Sequence, residues 1–505
     1  MTKGLSFDRL VYFGDSLTDS GAFFEASSAV AFFGIPPVAA GYDGQFSDGD
    51  VYSDLVPDLL GVEGGETLNY AVGGAQTLTD RTMADVLAGT GLIRPDATSE
   101  DLAFRVDYSG QVERFLADEA GNDLAGTAVS ILIGVNDFND FVPQSEATAI
   151  AEAIAYGSEI AATALQDTAG MVAAGVGTVI LNTLPALNVF PTWEALGPFE
   201  QALAPLSLGA YNATLRQGAQ ALEQLGADVV IVEFGAMFEE IEADFESFGF
   251  RTFDDPVVLG SNGVGGLNPD VAGIPRDQVA FFDAVHPTAE LHEILGVFQA
   301  ESLTSEVCMG TSDSDTLMLG KGDDLVLGRG GDDTISLGKG ADIAIAGLGN
   351  DSVSGGNGAD LLAGGCGNDV LSGNRGRDII ADGAGDDRSY GGRGKDLLID
   401  GAGNDLAFGG SGSDTFIFTE ASLFGRAEED SNAFVGGRGN DTLVLRLEDV
   451  SADLEISVCG NVTHFAAIGV TAVDIETVLL VDGTGTPIVS GFDEELATAE
   501  LWNFV

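Results

Sequence analysis

The stretch Gly391-Gly392-Arg393-Gly394-Lys395-Asp396-Leu397-Leu398-Ile399 is one unit of a repeat that fills much of the second half of the chain. The unit joins a glycine-rich segment, an aspartate and a short apolar segment. The aspartate recurs every nine residues without a slip, at Asp315, Asp324, Asp333, Asp342, Asp351, Asp360, Asp369, Asp378, Asp387, Asp396, Asp405 and Asp414. A fixed short period predicts a repeat architecture in which each unit packs on its neighbours.

Each unit predicts a turn of about six residues followed by a strand of about three, because glycine tolerates the positive φ of the turn. The residue two places after the aspartate is mostly apolar, as at Val326 and Leu362, and we expect it to point inward. One unit per half-turn puts Asp333 and Asp351 on one edge, and Asp324 and Asp342 on the other.

Carboxylates and backbone carbonyls in these turns are hard oxygen ligands of the kind that bind Ca²⁺. An ion between neighbours on one edge would neutralise carboxylates that otherwise repel. The sequence therefore predicts structural calcium. The predicted ligands are Asp324, Asp333, Asp342, Asp351, Asp360, Asp369, Asp378, Asp387, Asp396, Asp405 and Asp414.

The sequence before about residue 305 has a different pattern, in which short apolar runs alternate with helical stretches. The predicted buried strands are Val11–Phe13, Val129–Ile133, Thr178–Leu181 and Val229–Val232. The helical patterns include Ala147–Val172 and Leu206–Leu225. Strands that alternate with helices predict a parallel sheet covered on both faces, so residues 1–304 are interpreted as one α/β domain.

The chain is very acidic: its 505 residues include 80 acidic and 20 basic residues, for a net charge of −60. We expect no nucleic-acid partner, since such a charge repels phosphate. No run of about 18 uncharged apolar residues occurs, which predicts no transmembrane segment. Lys3 is followed closely by the strand pattern at Leu10–Phe13, so we expect no cleaved N-terminal export signal.

Ser16 directly follows the first predicted strand, in Phe13-Gly14-Asp15-Ser16-Leu17-Thr18-Asp19-Ser20-Gly21. A serine at the carboxyl edge of a parallel sheet is exposed, and a following helix offers N–H groups to a developing anion. That setting suits a nucleophile, but position alone equally fits a helix N-cap.

A serine nucleophile needs a base, and the chain has three histidines. His286 stands three residues after Asp283, so one turn can bring the carboxylate to the imidazole and fix its tautomer. His292 has no such partner, and we expect it on a helix surface. His464 lies beyond the repeats.

Two further segments could supply donors for an oxyanion. Asn69-Tyr70-Ala71-Val72-Gly73-Gly74-Ala75 could let the backbone approach the site, and Ile133-Gly134-Val135-Asn136-Asp137 ends a strand with an amide. Taken singly, a glycine pair also fits a turn, and an asparagine after a strand also fits a helix cap.

Taken in order, these blocks resemble the GDSL esterases and lipases, also called SGNH hydrolases. The matching residues are Gly14-Asp15-Ser16-Leu17, Gly74, Gly134-Val135-Asn136-Asp137 and Asp283-Ala284-Val285-His286. Gln45-Phe46-Ser47-Asp48-Gly49 is similar to a segment of the phospholipase/lecithinase/hemolysin branch, which often has Arg where Gln45 stands. The absence of a GxSxG elbow in this domain disfavours an α/β-hydrolase.

This resemblance implies a flavodoxin-like α/β/α sandwich. It implies Ser16 as the nucleophile, His286 as the base and Asp283 as the partner of His286. It also implies an oxyanion hole made by the backbone amides of Ser16 and Gly74 and the side chain of Asn136. Nothing in the sequence predicts an organic cofactor.

The nonapeptide units resemble the calcium-binding repeats of RTX proteins over roughly residues 310–418. The resemblance implies a parallel β-roll that folds on Ca²⁺ outside the cell. It also implies export by a type I secretion machinery that reads an uncleaved C-terminal signal, for which Ala497–Val505 is a candidate.

The sequence thus predicts three segments: a hydrolase domain over 1–304, a calcium-binding roll over 305–418, and a small β-rich cap with the secretion signal over 419–505. The predicted function is a secreted bacterial serine esterase or lipase, either released or retained at the cell surface, with lipid or phospholipid acyl esters as the favoured substrates. Two alternatives stay open: an esterase for short-chain esters or acetylated polysaccharide, and a calcium-dependent surface or matrix protein with an inactive hydrolase domain.

Overall fold

The computed structural model describes residues 7–20, 22–30, 45, 47, 49–62, 68–73, 75–88, 93–145, 148–186, 190–191, 198–243, 245, 248, 250–253, 255–259, 268–269, 271, 274, 276–283, 285–419, 431–447 and 456–482. The chain divides into two compact units. The N-terminal unit comprises Gly4–Glu242 and Thr252–Leu303. The repeat unit comprises Met1–Lys3, Ala243–Arg251 and Thr304–Val505.

A parallel sheet of five strands forms the centre of the N-terminal unit. The strands are β1 (Arg9–Gly14), β2 (Leu68–Asn69), β3 (Thr127–Leu132), β4 (Thr178–Asn182) and β5 (Asp228–Val232). Their order in the sheet is β2-β1-β3-β4-β5, the flavodoxin-like doubly wound order. The predicted fold class is therefore confirmed.

The four predicted strands correspond to β1, β3, β4 and β5. Every residue of β3 and β4 is buried, which explains their nearly continuous apolar runs. Pairing of Gly14 with Leu132 brings the carboxyl ends of β1 and β3 to the same edge. In doubly wound folds, ligands bind at that edge.

The helices of the N-terminal unit are α1 (Ala22–Val30), α2 (Tyr52–Leu59), α3 (Met83–Val86), α4 (Ser99–Leu102), α5 (Tyr108–Asp118), α6 (Ala149–Ala173), α7 (Pro198–Leu225), α8 (Phe234–Ala243) and α9 (Ala289–Thr304). The predicted helix Ala147–Val172 is observed as α6. The predicted helix Leu206–Leu225 lies within the longer α7, which includes Pro205.

Short strands wound into two facing parallel sheets make up the repeat unit. Among the described residues one sheet has nine strands and the other ten. The strands are β6 (Glu306–Met309), β7 (Thr316–Met318), β8 (Asp324–Leu327), β9 (Thr334–Lys339), β10 (Ile343–Leu348), β11 (Ser352–Asn357), β12 (Leu361–Cys366), β13 (Val370–Arg375), β14 (Ile379–Ala381), β15 (Arg388–Gly394), β16 (Leu397–Ile399), β17 (Leu406–Gly412), β18 (Thr415–Thr419), β19 (Asn432–Arg438), β20 (Thr442–Leu447), β21 (Ile456–Cys459), β22 (Val462–Phe465), β23 (Val470–Val473) and β24 (Thr477–Asp482).

Through the strict repeats, consecutive strands alternate between the sheets, so each strand pairs with the one two units further on. Leu362 pairs with Ile380, and Val353 pairs with Leu371. The apolar residue of each unit fills the interior, where Val326, Leu362 and Ile380 belong to one buried cluster. This is the parallel β-roll that the nine-residue period predicts.

The segment predicted as a β-rich cap largely continues the roll. The strands β19 and β20 pair in parallel with β17 and β18, and β23 and β24 extend the same two sheets. Among the described residues of this segment, the antiparallel pairs are β21 with β22 and β22 with β23. The inward residues Phe434, Leu443 and Leu445 preserve the apolar interior after the strict period ends.

Candidate active site and calcium-binding edges

Ser16 lies in a tight turn at the carboxyl end of β1. The carbonyl of Asp15 accepts the N–H groups of Thr18 (3.1 Å) and Asp19 (3.0 Å). Because α1 begins only at Ala22, Ser16 is not the N-cap of that helix. A Cβ atom on Gly14 would lie 2.4 Å from the carbonyl oxygen of Leu132, so only glycine lets the chain enter this turn beside β3.

The three residues predicted to be catalytic lie in one hydrogen-bonded line. The Nε2 atom of His286 is 2.9 Å from the Oγ atom of Ser16. The Nδ1 atom of His286 is 2.9 Å from both carboxylate oxygens of Asp283. All three residues are buried. A Ser–His–Asp line can transfer a proton from the hydroxyl to the imidazole while the carboxylate stabilises the imidazolium.

A local turn holds Asp283 and His286 together. The Oδ1 atom of Asp283 accepts the backbone N–H groups of Val285 and His286, each at 2.9 Å. Ser47, from the segment similar to the phospholipase branch, donates its hydroxyl to the carbonyl of Pro287 at 3.2 Å and is buried. The carboxylate is thus oriented by backbone donors as well as by the imidazole.

Thr18 anchors the Ser16 turn through contacts that the sequence analysis did not identify. Its carbonyl accepts the side chains of Ser53 (3.0 Å) and Asn69 (2.7 Å), and its hydroxyl is 3.0 Å from the hydroxyl of Tyr52. These partners come from α2 and β2, so no local spacing marks them. They fix the turn in which the Ser16 hydroxyl faces His286.

Asn136 follows β3 in a short 3₁₀ helix, Val135–Asp140, which begins after Gly134 at φ 120°. The carboxylate of Asp137 accepts the N–H groups of Thr77 (2.9 Å) and Leu78 (3.0 Å) and ties this helix to the segment after Ala75. The Asn136 amide donates to the Ala75 carbonyl at 3.2 Å. Gly74, the other predicted oxyanion donor, lies outside the described residues.

Asp15 is a buried carboxylate immediately before Ser16. Burial raises its pKa to about 7, although the Leu17 N–H group and the nearby His286 imidazole both favour the charged form. Its Oδ1 atom accepts the Leu17 N–H at 3.2 Å. Asp15 therefore fixes the backbone that carries Ser16. Besides Asp283, it is a second buried carboxylate close to the hydrogen-bonded chain of Ser16, His286 and Asp283.

The expectation that His292 lies on a helix surface is wrong. His292 is fully buried in α9, where its ring stacks on Tyr52 and its Nδ1 atom accepts the Tyr52 N–H at 3.4 Å. Burial, followed by the charge of His286, lowers the pKa of His292 to about 3. His292 is thus a neutral core residue that supports Tyr52 beneath the Ser16 turn.

In the repeat unit the predicted calcium ligands form two regular columns. Through the strict repeats, the Oδ1 atom of each aspartate accepts the N–H of the aspartate eighteen residues earlier, as from Asp324 to Asp342 (2.9 Å) and from Asp333 to Asp351 (2.7 Å). The aspartates at all eleven predicted positions are buried: Asp324, Asp333, Asp342, Asp351, Asp360, Asp369, Asp378, Asp387, Asp396, Asp405 and Asp414.

The second carboxylate oxygen of these aspartates is suited to a metal ion. The Oδ2 atoms of nine predicted ligands are buried and accept no hydrogen bond from the described residues: Asp324, Asp333, Asp342, Asp351, Asp360, Asp378, Asp387, Asp396 and Asp414. Buried carboxylate oxygens need a cation, a proton or a donor. Repeated oxygens beside backbone carbonyls suit Ca²⁺.

No helix in the described part of the chain is both long enough and apolar enough to span a bilayer.

Comparison with known proteins identifies two families in the chain. The family model for GDSL-like lipases/acylhydrolases matches residues 10–296. The model for the RTX calcium-binding nonapeptide repeat matches residues 309–344, 337–370, 345–380, 364–398, 382–416 and 426–444. Repeats of this family bind calcium.

Three curated relatives align with somewhat more than half of the chain. A GDSL esterase/lipase of Arabidopsis thaliana is 25% identical over 57% of this chain and 87% of its own length. The thermolabile hemolysin of Vibrio parahaemolyticus is 24% identical over 58% of this chain and 63% of its own length. The secreted effector protein SseJ of Salmonella typhimurium is 24% identical over 57% of this chain and 62% of its own length.

The hydrogen-bonded serine, histidine and aspartate stand at the sheet edge inside the matched region, and the aspartate columns stand inside the matched repeats. The chain belongs to the GDSL-like lipase/acylhydrolase family and carries RTX calcium-binding repeats after its hydrolase domain.

Proposed function

We propose that this protein hydrolyses carboxylic esters with Ser16 as nucleophile, His286 as general base and Asp283 as its partner. The observation that carries the proposal is the continuous line from the Ser16 hydroxyl through the imidazole to the carboxylate, with each contact at 2.9 Å. A base within hydrogen-bond reach activates a serine, and a carboxylate behind it holds the tautomer.

Catalysis begins with proton transfer. The tautomer with hydrogen on Nδ1 of His286 donates to Asp283 and leaves Nε2 as an acceptor for the Ser16 proton. Oγ of Ser16 then attacks the ester carbonyl carbon, and the carbonyl oxygen takes up the negative charge. His286 returns its proton to the departing alcohol, and water, activated by the same imidazole, releases the acid from the acyl-serine.

The developing oxyanion needs preorganised donors. We assign this role to the backbone N–H groups of Ser16 and Gly74 and to the amide of Asn136. Asn136 is supported by its position four residues after β3, at the edge where β1 presents Ser16. The bonds from Thr77 and Leu78 to Asp137 hold that segment rigid.

Lipid or phospholipid acyl esters are the substrates we propose. Support comes from the relatives, whose names include a lipase and a hemolysin, and from the resemblance of the segment around Ser47 to the phospholipase/lecithinase/hemolysin branch. Short-chain esters and acetylated polysaccharide are the second candidate, since the fold itself does not settle the substrate. The oriented triad disfavours a purely structural protein with an inactive hydrolase domain.

We further propose that calcium folds the repeat region outside the cell and that a type I machinery exports the chain. The orphaned aspartate oxygens support the first part. They would hold the ions, and when bound, calcium supplies the positive charge that offsets the buried carboxylates. The candidate signal Ala497–Val505 lies outside the described residues. We assign residues 1–304 to catalysis, 305–418 to the strict repeats of the roll, and 419–505 to the end of the roll with the signal.

One assay panel tests this function. Purified full-length protein is assayed on nitrophenyl esters of graded acyl length and on phospholipid vesicles, with and without calcium, beside Ser16→Ala. We expect hydrolysis with a preference for long chains, and a loss of roughly 10⁴-fold or more in Ser16→Ala. Ser145→Ala, at an exposed serine, is the matched control and should keep full activity.

Full activity in Ser16→Ala would refute the nucleophile, and activity on acetyl esters alone would replace the lipid substrates with the second candidate.

A further inference from the structure

Two turns of the roll begin with aspartate where most turns begin with glycine. Residues 382–387 read Asp-Gly-Ala-Gly-Asp-Asp and residues 400–405 read Asp-Gly-Ala-Gly-Asn-Asp, whereas residues 355–360 read Gly-Gly-Asn-Gly-Ala-Asp. The two unusual turns are eighteen residues apart and therefore neighbours on one edge. Asp382 and Asp400 thus provide two carboxylates on this edge beyond those of the aspartates that recur every nine residues.

The added carboxylates point inward and converge. Asp382, Asp400 and Asp405 are all buried, and each offers a carboxylate oxygen within 4.8 Å of those offered by the other two. Calcium holds oxygens at about 2.3–2.6 Å, so ligands on opposite sides of the ion lie up to about 5 Å apart. Three oxygens that all lie within 4.8 Å of one another can therefore surround one calcium ion.

A fourth buried oxygen independently marks the place as a ligand site. In ordinary turns the Oδ2 atom of the last aspartate faces the first position: a Cβ on Gly373 would lie 2.4 Å from Oδ2 of Asp378. By the same geometry Oδ2 of Asp387 faces Asp382. Asp387 is 1% exposed, its Oδ1 atom accepts the Asp369 N–H, and its Oδ2 atom accepts no hydrogen bond from the described residues.

Asn432 completes the arrangement from the next turn on this edge. Its Oδ1 atom accepts the N–H of Asp405 at 2.8 Å, and its amide donates to Oδ2 of Asp400 at 3.0 Å. An amide here replaces the carboxylate that the preceding turns supply. It orients Asp400 and adds no negative charge.

We propose that Asp382 and Asp400 join Asp405 of the regular repeat to bind a divalent cation, preferentially Ca²⁺, at a site that differs from the regular ones in its first-position ligands; this rests on the calcium binding proposed for the roll. Its distinguishing ligands come from the first position of the turn, where the other repeats have no side-chain oxygen to offer. The set contains only oxygen, which disfavours zinc, and Ca²⁺ takes more protein oxygens than Mg²⁺, which usually keeps several waters. Three charged ligands make this ion the last to leave as calcium falls.

Calcium retention in the full-length protein tests the proposal. The protein is dialysed against chelator-buffered solutions of decreasing free calcium, and bound calcium is measured by mass spectrometry of the metal. Asp382→Gly/Asp400→Gly restores the residue of the ordinary turn, and Asp382→Asn/Asp400→Asn keeps the side-chain shape without charge. We expect both variants to lose the most tightly held ion, and the calcium midpoint of roll folding to rise about tenfold.

The matched control is Asp332→Asn/Asp386→Asn, which removes two exposed carboxylates from the fifth position of turns on the same edge. This control changes the net charge by the same amount as the variants at Asp382 and Asp400. It should retain calcium like the parent protein. Circular dichroism at saturating calcium checks that each variant folds. Unchanged calcium retention and an unchanged calcium midpoint in the folded Gly and Asn variants would overturn the proposal. Tighter calcium binding in these variants would also overturn it, because the aspartates would then only repel one another.

Discussion

The Nε2 atom of His286 lies 2.9 Å from the Oγ atom of Ser16, although 270 positions separate the two residues in the chain. Ser16 reaches this contact from the end of β1, and His286 reaches it from the turn before α9. The contact is therefore a product of tertiary structure, whereas the pair Asp283–His286 is held by one local turn.

Replacing Asp283 with asparagine should disable the base without unfolding the protein. The asparagine oxygen can still accept the N–H groups of Val285 and His286, but its amide opposes the Nδ1–H tautomer that catalysis requires. We expect kcat for ester hydrolysis to fall by about 10⁴-fold at neutral pH.

Asp255→Asn, at an exposed carboxylate, is the control and should leave kcat unchanged. Retention of most of the activity in Asp283→Asn would show that Asp283 does not orient the base.

The buried histidine at position 292 should make the hydrolase unit sensitive to acid. Its pKa falls from an ordinary value of 6.5 to about 3, so the folded state resists a proton that the unfolded state accepts. Its contribution to stability is complete above pH 6.5 and is lost as the pH falls toward 3, at up to about 1.4 kcal/mol per pH unit.

His292→Asn keeps an acceptor for the Tyr52 N–H and cannot titrate in this range. Calorimetry of calcium-saturated protein between pH 7 and 5 should show a shallower loss of stability in His292→Asn than in the parent, whereas His464→Asn, at an exposed histidine, should behave like the parent. Equal slopes in all three proteins would contradict the assignment.

The sequence predicted those parts of the structure that depend on regular spacing or on residue chemistry. The nine-residue period predicted which aspartates share an edge, because in the strict repeats eighteen residues return the chain to the same sheet. The scarcity of histidine singled out His286. Periodicity could not predict the burial of His292, since α9 is buried on nearly all sides and no polar face distinguishes its residues.

The supports of the Ser16 turn were also beyond sequence reasoning. Thr18 is held by Ser53 and Asn69, which come from separate elements and are joined only by the fold. After Thr419 the period weakens, so the continuation of the parallel sheets through β24 was not evident from spacing.

Without calcium, the roll should be more stable in acid than at neutral pH. Burial raises the pKa of Asp342 to about 6, of Asp360 to about 7 and of Asp387 to about 8, from an ordinary value of 3.8. Between about pH 4 and 8 the folded calcium-free roll thus binds more protons than the unfolded chain, and its stability falls as the pH rises.

Limited proteolysis in calcium-depleted buffer, with cleavage sites mapped by mass spectrometry, measures this effect. Residues 305–419 should be protected near pH 5, cleaved near pH 8, and protected again at pH 8 when calcium is added. Equal protection at both pH values without calcium would refute the link between these carboxylates and folding.

A single serine in the apolar interior of the roll offers a route to higher stability. Ser389 occupies the inward position between Leu371 and Ala407, is 1% exposed, and its Oγ atom has no hydrogen-bond partner among the described residues. An unsatisfied buried hydroxyl costs about 1–3 kcal/mol. Ser389→Val should therefore stabilise the calcium-bound roll by about 1 kcal/mol and raise its Tm by a few degrees, since valine also favours strands and already fills this row at Val353.

Ser389→Ala removes the hydroxyl without adding volume and separates relief of the polar group from overpacking. Ser352→Val, at an exposed strand position, is the control and should change stability by less than about 0.5 kcal/mol. Thermal unfolding at saturating calcium measures all three. A lower Tm in Ser389→Ala would contradict the prediction and mean that the hydroxyl has a stabilising partner in solution, because alanine adds no volume that could overpack the interior.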